Sequence, residues 1–244
     1  MKYDIVKVKI TNRCNRKCEF CVFNNNDRDL SLEEFKSILS IIKQIDFKKF
    51  HINGGEPLIN KDFVQMTKFA KKIFPDKTMV LGTNLVALNN NLDLLNFIKE
   101  NYDEICIGCD LEHNNLKMLK KIIPILRKDS NIVIVTNSLL EYSNDELLND
   151  LEKLKTQYNT IMVTNHIYHK CIGLPINKLS RGLCKQKNQN VILIQENGDV
   201  YRCFNCCIPE DREMNVYDVD FLDKISRRRQ KHYKFCGWCS NYEP

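Results

Sequence analysis

No apolar run in this chain approaches the roughly 18 residues of a membrane span, so no transmembrane anchor is expected. The first residues, Met1 to Asp4, lead directly into an alternating apolar run, and no secretory signal peptide is expected either. There is no internal repeat and no low-complexity segment; the polar tracts 24–26 and 89–91 read as loops. The densest basic run, at 227–232, has no aromatic residues interleaved with it, so nucleic acid is not an expected partner despite a net charge of +6. That run reads first as a solvated helix face, with an anionic substrate as the alternative. What is abundant is cysteine, twelve in 244 residues. Without a secretion signal these are expected to be ligands or catalysts in a reducing cytoplasm, not a disulfide framework.

From the start to about residue 170, short β-type runs alternate with longer amphipathic ones. Strands are expected at 5–11, 48–53, 78–83, 104–109, 132–136 and 160–166, and helices at 31–44, 61–73, 92–100, 114–126 and 144–158. Ser31 and Glu34 form a capping-box pattern. Such alternation reads as an α/β fold with a parallel sheet and right-handed crossovers; periodicity alone does not separate a partial barrel from an open doubly wound sheet. His51, inside the second strand, reads as a core histidine. Near Leu174 the alternation stops, which places a boundary between domains 1–174 and 175–244.

Three cysteines, Cys14, Cys18 and Cys21, stand in one short loop after the first strand. Three thiolates can hold three irons of a [4Fe–4S] cube and leave the fourth iron open to another ligand. A zinc knuckle is the alternative, but it would want a nearby fourth Cys or His. After the second strand comes Asn53-Gly54-Gly55-Glu56-Pro57, where paired glycines let the main chain approach a ligand closely.

The CxxxCxxC spacing with Phe20 before the third cysteine, followed by the GGEP element, resembles the radical S-adenosylmethionine (radical SAM) enzymes. The resemblance implies a six-stranded partial (β/α)6 barrel. It implies a [4Fe–4S] cluster on Cys14, Cys18 and Cys21, and SAM held by Phe20, Gly54, Gly55, Glu56 and Pro57, with Asn84 and Asp110 at later strand ends. Function gathers at the C-terminal strand ends of parallel barrels, where both motifs fall.

The tail carries Cys184, Cys203, Cys206, Cys207, Cys236 and Cys239. Between the first two lies a hairpin signature, 191–195 and 200–202 around Asn197-Gly198, with a type I′ turn expected. A helix is expected at 219–230. The order Cys184, Gly198, Cys203, Cys236, Cys239 resembles the C-terminal SPASM extension in its shorter, twitch form, a β-hairpin plus helix. That implies an auxiliary [4Fe–4S] cluster on Cys184, Cys203, Cys236 and Cys239, with Cys206 or Cys207 as possible substitutes. A zinc ribbon is the alternative. Cys106, Cys109 and Cys171 read as buried inert thiols.

The resemblance implies that an electron from a flavodoxin or ferredoxin enters the first cluster, SAM is cleaved, and a 5′-deoxyadenosyl radical takes a substrate hydrogen. An auxiliary cluster suits oxidation, because it can accept the second electron. The chain is similar in layout to compact dehydrogenases of the twitch subgroup, which implies a small-molecule substrate such as a sugar, cyclitol or nucleotide sugar. A peptide-modifying maturase and a non-catalytic iron–sulfur or zinc-binding regulator are the alternatives. Candidates for the base are His166, His169, Glu112 and Arg181.

Overall fold

The computed structural model describes residues 3–19, 21, 27–128, 130–139, 142–159, 161–166, 183–184, 191–201, 212–227 and 242–243. Six strands and five helices alternate through the first two thirds: β1 (Tyr3–Lys9), α1 (Leu32–Ile42), β2 (Phe47–Asn53), α2 (Phe63–Ile73), β3 (Thr78–Thr83), α3 (Leu92–Asn101), β4 (Glu104–Gly108), α4 (Leu116–Arg127), β5 (Val133–Leu139), α5 (Asp145–Gln157) and β6 (Ile161–His166). All six strands are parallel, and each pairs with the next in chain order. A doubly wound sheet requires the strand order to reverse. Here it runs one way, so right-handed crossovers put the helices on a single face. This is the winding of a barrel left open between its first and last strands.

Residue patterns explain the layers. Ser31 caps α1 through both halves of the capping box, its backbone N–H donating to Glu34 Oε2 at 2.8 Å. The apolar stripe Phe35, Ile38, Leu39 and Ile42 is wholly buried. It meets an aromatic cluster in which the ring of Phe74 lies 5.0 Å from that of Phe47 and 5.1 Å from that of Phe50. Along β1 to β5, Val6, Val8, Phe50, Ile52, Leu81, Ile105, Ile107 and Ile134 are sealed beneath the helices with no exposure. Their neighbours Ile5, Lys7, Lys49, Gly82, Glu104, Cys106, Val133 and Val135 point to the opposite face and stay partly exposed.

The C-terminal segment joins the same sheet. Strand β8 (Val191–Ile194) runs parallel to β1, with Ile5 opposite Val191 and Val8 opposite Ile194. Strands β9 (Asp199–Tyr201) and β10 (Met214–Asn215) extend that edge antiparallel, giving nine strands in the order β10-β9-β8-β1-β2-β3-β4-β5-β6. The hairpin turn differs from the expected type I′. Of its two central residues only Gly198 is left-handed, at φ +84°. The amide of Gly198 donates to Gln195 O, and that of Gln195 to Asp199 O, closing a three-residue loop of the bulged kind. Asn197 keeps its own conformation because its side chain accepts from the Asp199 amide at 3.0 Å.

A separate pair joins β7 (Leu183–Cys184) to β11 (Tyr242–Glu243). Helix α6 (Phe221–Ser226) is tied back to β1 where the Tyr3 hydroxyl donates to Ile225 O at 2.8 Å. Among the described residues no helix is long and apolar enough to cross a membrane.

Candidate active site

The C-terminal ends of β1 to β4 bring the two motifs together through the main chain. The Gly55 amide donates to Thr11 O at 2.8 Å and the Glu56 amide to Arg13 O at 2.9 Å. A Cβ on Gly55 would lie 2.3 Å from Arg13 O, and one on Gly54 would lie 2.9 Å from Thr11 O. Both glycines are thus required by the approach of the cysteine loop itself, whatever ligand the backbone there also meets. The start of that loop is pinned by Arg13, whose Nε and Nη2 grip both carboxylate oxygens of Asp29 at 3.0 and 2.5 Å. Asn60, buried, donates to Ile10 O and Leu30 O and ties the turn after GGEP to the same spot.

Glu56 is completely buried. It accepts from Thr83 Oγ1, the Asn84 amide and the Leu58 amide at 2.9, 2.7 and 3.1 Å. Burial nevertheless outweighs these bonds and pushes its carboxyl up to about 7. A cation docked against it would reverse that cost.

Cys14 and Cys18 are half-buried and Cys21 is exposed. The Arg16 amide points at Cys14 Sγ at 3.4 Å and Asn84 Nδ2 at 3.7 Å. Burial raises the Cys14 thiol. Burial, then the charge of Asp110 and the neighbouring thiols, pushes Cys18 up to about 11. An environment hostile to thiolates becomes workable when metal charge is present, since a coordinating thiol gives up its proton. Among the described residues no three Cys, His, Asp or Glu side chains converge as they would on a single ion. The donor set fits a cluster, which spreads its thiolates over separate corners: Cys14, Cys18 and Cys21 would hold it.

The β4 end closes the other side. Asp110, 2% exposed, accepts from His113 Nδ1 at 2.8 Å and from the His113 amide at 2.9 Å. The imidazole occupies the space beside Gly108, where a Cβ would come within 2.7 Å of the ring. Glu112 Oε2 accepts from the Glu19 amide at 3.2 Å, and its carbonyl accepts from Arg16 Nη1 at 3.4 Å. Glu112, expected as a base, also braces the cysteine loop through these bonds. His113 was not among the sequence candidates; its signal was a histidine three residues after a strand-end aspartate. Asn84, just after β3, donates its Nδ2 to Asn15 Oδ1 at 2.8 Å. His166 ends β6. Phe20, His169, Arg181, Cys203, Cys206, Cys207, Cys236 and Cys239 lie outside the described residues, and Cys184 is described only by its backbone pairing with Tyr242.

A third element reaches the loop. Glu196, in the β8–β9 turn, accepts from Asn12 Nδ2 and lies 3.6 Å from Lys9 Nζ, which also donates to Asn12 Oδ1. All three are buried.

Comparison with known proteins agrees with this geometry. A GTP 3′,8-cyclase of Clostridium perfringens (strain SM101 / Type A) is 24% identical over 162 residues, covering 59% of this chain and 50% of that protein. One of Campylobacter jejuni (strain RM1221) is 25% identical over 259 residues, covering 93% and 77%. The chain thus spans about half the length of the first of these relatives. Among solved structures, anSMEcpe with bound AdoMet and Cp18Cys peptide superposes with a TM-score of 0.65 at 13% identity, covering 95% of this chain and 82% of that one. BtrN in complex with AdoMet and 2-DOIA superposes with a TM-score of 0.58 at 13% identity, covering 93% and 83%. The model of the Radical SAM superfamily matches residues 8–129, half of the chain, and the protein belongs to that superfamily.

Proposed function

We propose that this radical SAM enzyme removes a hydrogen atom from a carbinol carbon of a small molecule and completes its oxidation with a second electron passed to an auxiliary cluster in the tail. The observation that carries the reading is the C-terminal hairpin. It is hydrogen-bonded to β1, and its turn touches the cysteine loop through Glu196 and Asn12; β9 then runs back antiparallel to β8 and ends two residues before Cys203. When bound at Cys14, Cys18 and Cys21, a [4Fe–4S] cluster with SAM supplies reductive cleavage to methionine and a 5′-deoxyadenosyl radical.

The chain's own residues do the rest. Glu56 offers a buried carboxylate to the ammonium of SAM, with Gly54, Gly55 and Pro57 shaping the backbone around it. Asp110 holds His113 through its Nδ1 at the end of β4, and the imidazole is assigned to the substrate hydroxyl proton. The hydroxyl proton would go to His113 and the hydrogen atom to the radical, and Cys184, Cys203, Cys236 and Cys239 would hold a cluster able to accept the remaining electron. Cys14, Cys18 and Cys21 would hold a cluster reducible by a protein of the flavodoxin or ferredoxin class. The division into domains 1–174 and 175–244 is part of this reading.

BtrN, solved with 2-DOIA, supports a small molecule, while anSMEcpe, solved with a peptide, keeps a peptide substrate as the alternative. A second reading is favoured by the relatives' name, GTP 3′,8-cyclase: the substrate radical would add within the molecule and not be oxidised. Product mass separates these. Anaerobically reconstituted enzyme, SAM, dithionite and candidate substrates should give 5′-deoxyadenosine and a product lighter by two hydrogens. A product of unchanged mass would favour cyclisation, and no 5′-deoxyadenosine from iron-loaded protein would overturn both.

A further inference from the structure

We propose that the side chain of Asn84 serves the iron–sulfur cluster and not SAM: its amide donates to the sulfur of Cys14 and makes a cluster held there easier to reduce. The inference rests on the reading of Cys14, Cys18 and Cys21 as cluster ligands and deepens it with a residue that tunes them. Asn84 is a positioning residue in this sense, acting through Cys14.

Asn84 stands at the end of β3 and was expected to hold SAM. It is 5% exposed, and its own bonds fix its orientation. Its backbone amide donates to Glu56 Oε2 at 2.7 Å, and its carbonyl accepts from Asn115 Nδ2 at 3.1 Å. Its side-chain oxygen accepts from the Val86 amide at 3.0 Å. A backbone amide can only donate, so the side-chain atom facing Val86 is the oxygen, and the nitrogen faces the cysteine loop. There Nδ2 donates to Asn15 Oδ1 at 2.8 Å and to Cys14 Sγ at 3.7 Å. A carboxamide nitrogen carries two hydrogens, and the loop takes both. Asn84 meets the SAM site through its backbone, at Glu56.

Charge gives the sulfur contact its effect. A thiol that coordinates metal is deprotonated, so Cys14 accepts as a thiolate when it binds iron. An added electron raises the negative charge that the thiolates share. A donor aimed at one of them therefore stabilises the reduced state more than the oxidised one. Hydrogen bonds to sulfur are among the factors that set cluster potentials, and groups beyond the ligands tune metal sites generally. The Arg16 amide, 3.4 Å from the same sulfur, acts in the same direction but belongs to the backbone. Asn84 is the donor that a substitution removes. Its backbone bond to Glu56 survives that substitution, so the effect on the cluster separates from the effect on SAM.

The test is a redox titration of the anaerobically reconstituted full chain without SAM, followed by electron paramagnetic resonance. The signal lost in Cys18→Ala identifies the first cluster. In Asn84→Leu and Asn84→Asp the ratio of reduced to oxidised first cluster at a fixed potential should fall about tenfold, which is about 59 mV toward more negative potential for one electron. Asn84→Asp keeps an acceptor for the Val86 amide, so it decides the matter if Asn84→Leu fails to fold or to load iron. Asn15→Ala removes the other partner of Nδ2 and should leave the ratio within about twofold of the parent. SAM should bind Asn84→Leu with a Kd within about twofold of the parent, read by calorimetry. Unmoved potentials in the Asn84 variants, or an equal shift in Asn15→Ala, overturn the proposal. SAM binding weakened about tenfold at an unmoved potential returns the side chain to SAM and overturns it too. A parent protein that takes up no redox-active iron at Cys14, Cys18 and Cys21 would sink the cluster reading together with this one. A first-cluster signal indifferent to residue 84 would sink this one alone.

Discussion

Glu56 shows how one buried carboxyl ties stability to cofactor binding. Its pKa in the protein without SAM is raised to about 7 from an ordinary 4.5, because burial outweighs its hydrogen bonds. A carboxyl raised in this way contributes its full stability below the unfolded value and loses it as pH climbs through the folded value. The cluster-free, SAM-free protein should therefore lose stability between about pH 4.5 and pH 7. Glu56→Gln should flatten that part of the profile, read by chemical denaturation at each pH. SAM affinity should run the other way. An ammonium prefers the ionised partner, so binding tightens as pH rises through about 7 and then levels off. Glu56→Gln should weaken SAM about tenfold and remove the pH dependence. Gly55 acts at the same scale by a different route. A methyl group placed 2.3 Å from Arg13 O must displace backbone, since no flexible side-chain end is there to yield. Gly55→Ala should cost about 1–3 kcal/mol of stability, and iron incorporation at Cys14, Cys18 and Cys21 should fall with it.

At the scale of elements, the β8–β9 hairpin and the cysteine loop are joined by buried charge. Removing one member of such a group takes a charged partner from the others, which typically costs about 1.5–3 kcal/mol. Glu196→Ala, which takes one partner from Lys9, buried at 4% exposure, should lower stability by about that amount. Lys9→Met with Glu196→Leu should recover most of it, because two apolar groups need no counter-charge; a double-mutant cycle in denaturant measures both. This contact also marks where sequence reading stopped. The capping box at Ser31 and Glu34 was legible because its bonds span three residues. Each of the six strands was legible from alternation, although β5 runs on to Leu139, through polar Asn137 and Ser138, because β6 is there to pair with it. The GGEP and cysteine motifs were legible from spacing. That β8 lies parallel to β1 was not, since the pairing joins residues more than 180 positions apart. Nor was the role of Glu196, which in sequence is one polar residue of a turn. The turn type was misread because Asn-Gly supports I′ geometry only when Asn also adopts positive φ, and Asn197 instead bonds Asp199.

At the scale of the molecule, the C-terminal segment is held against the barrel at several separated points. β8 pairs with β1, Glu196 meets Asn12, and Tyr3 reaches Ile225 in α6. The proposed roles of the two cysteine groups are separable by experiment. The reconstituted protein should hold about eight irons if both groups carry cubes. Replacing Cys236 and Cys239 together by Ala should lower this to about four, because their loss leaves only Cys184 and Cys203 of the proposed ligands. The variant should still form 5′-deoxyadenosine from SAM and dithionite, since Cys14, Cys18, Cys21 and Glu56 are untouched. With substrate present it should lose the product lighter by two hydrogens, because the second electron has no acceptor. Cys18→Ala should do the opposite, abolishing 5′-deoxyadenosine while the tail keeps its iron. If the tail variant instead turned over substrate to the oxidised product at an unchanged rate, the second electron would leave by another route, and the tail cysteines would serve the fold alone.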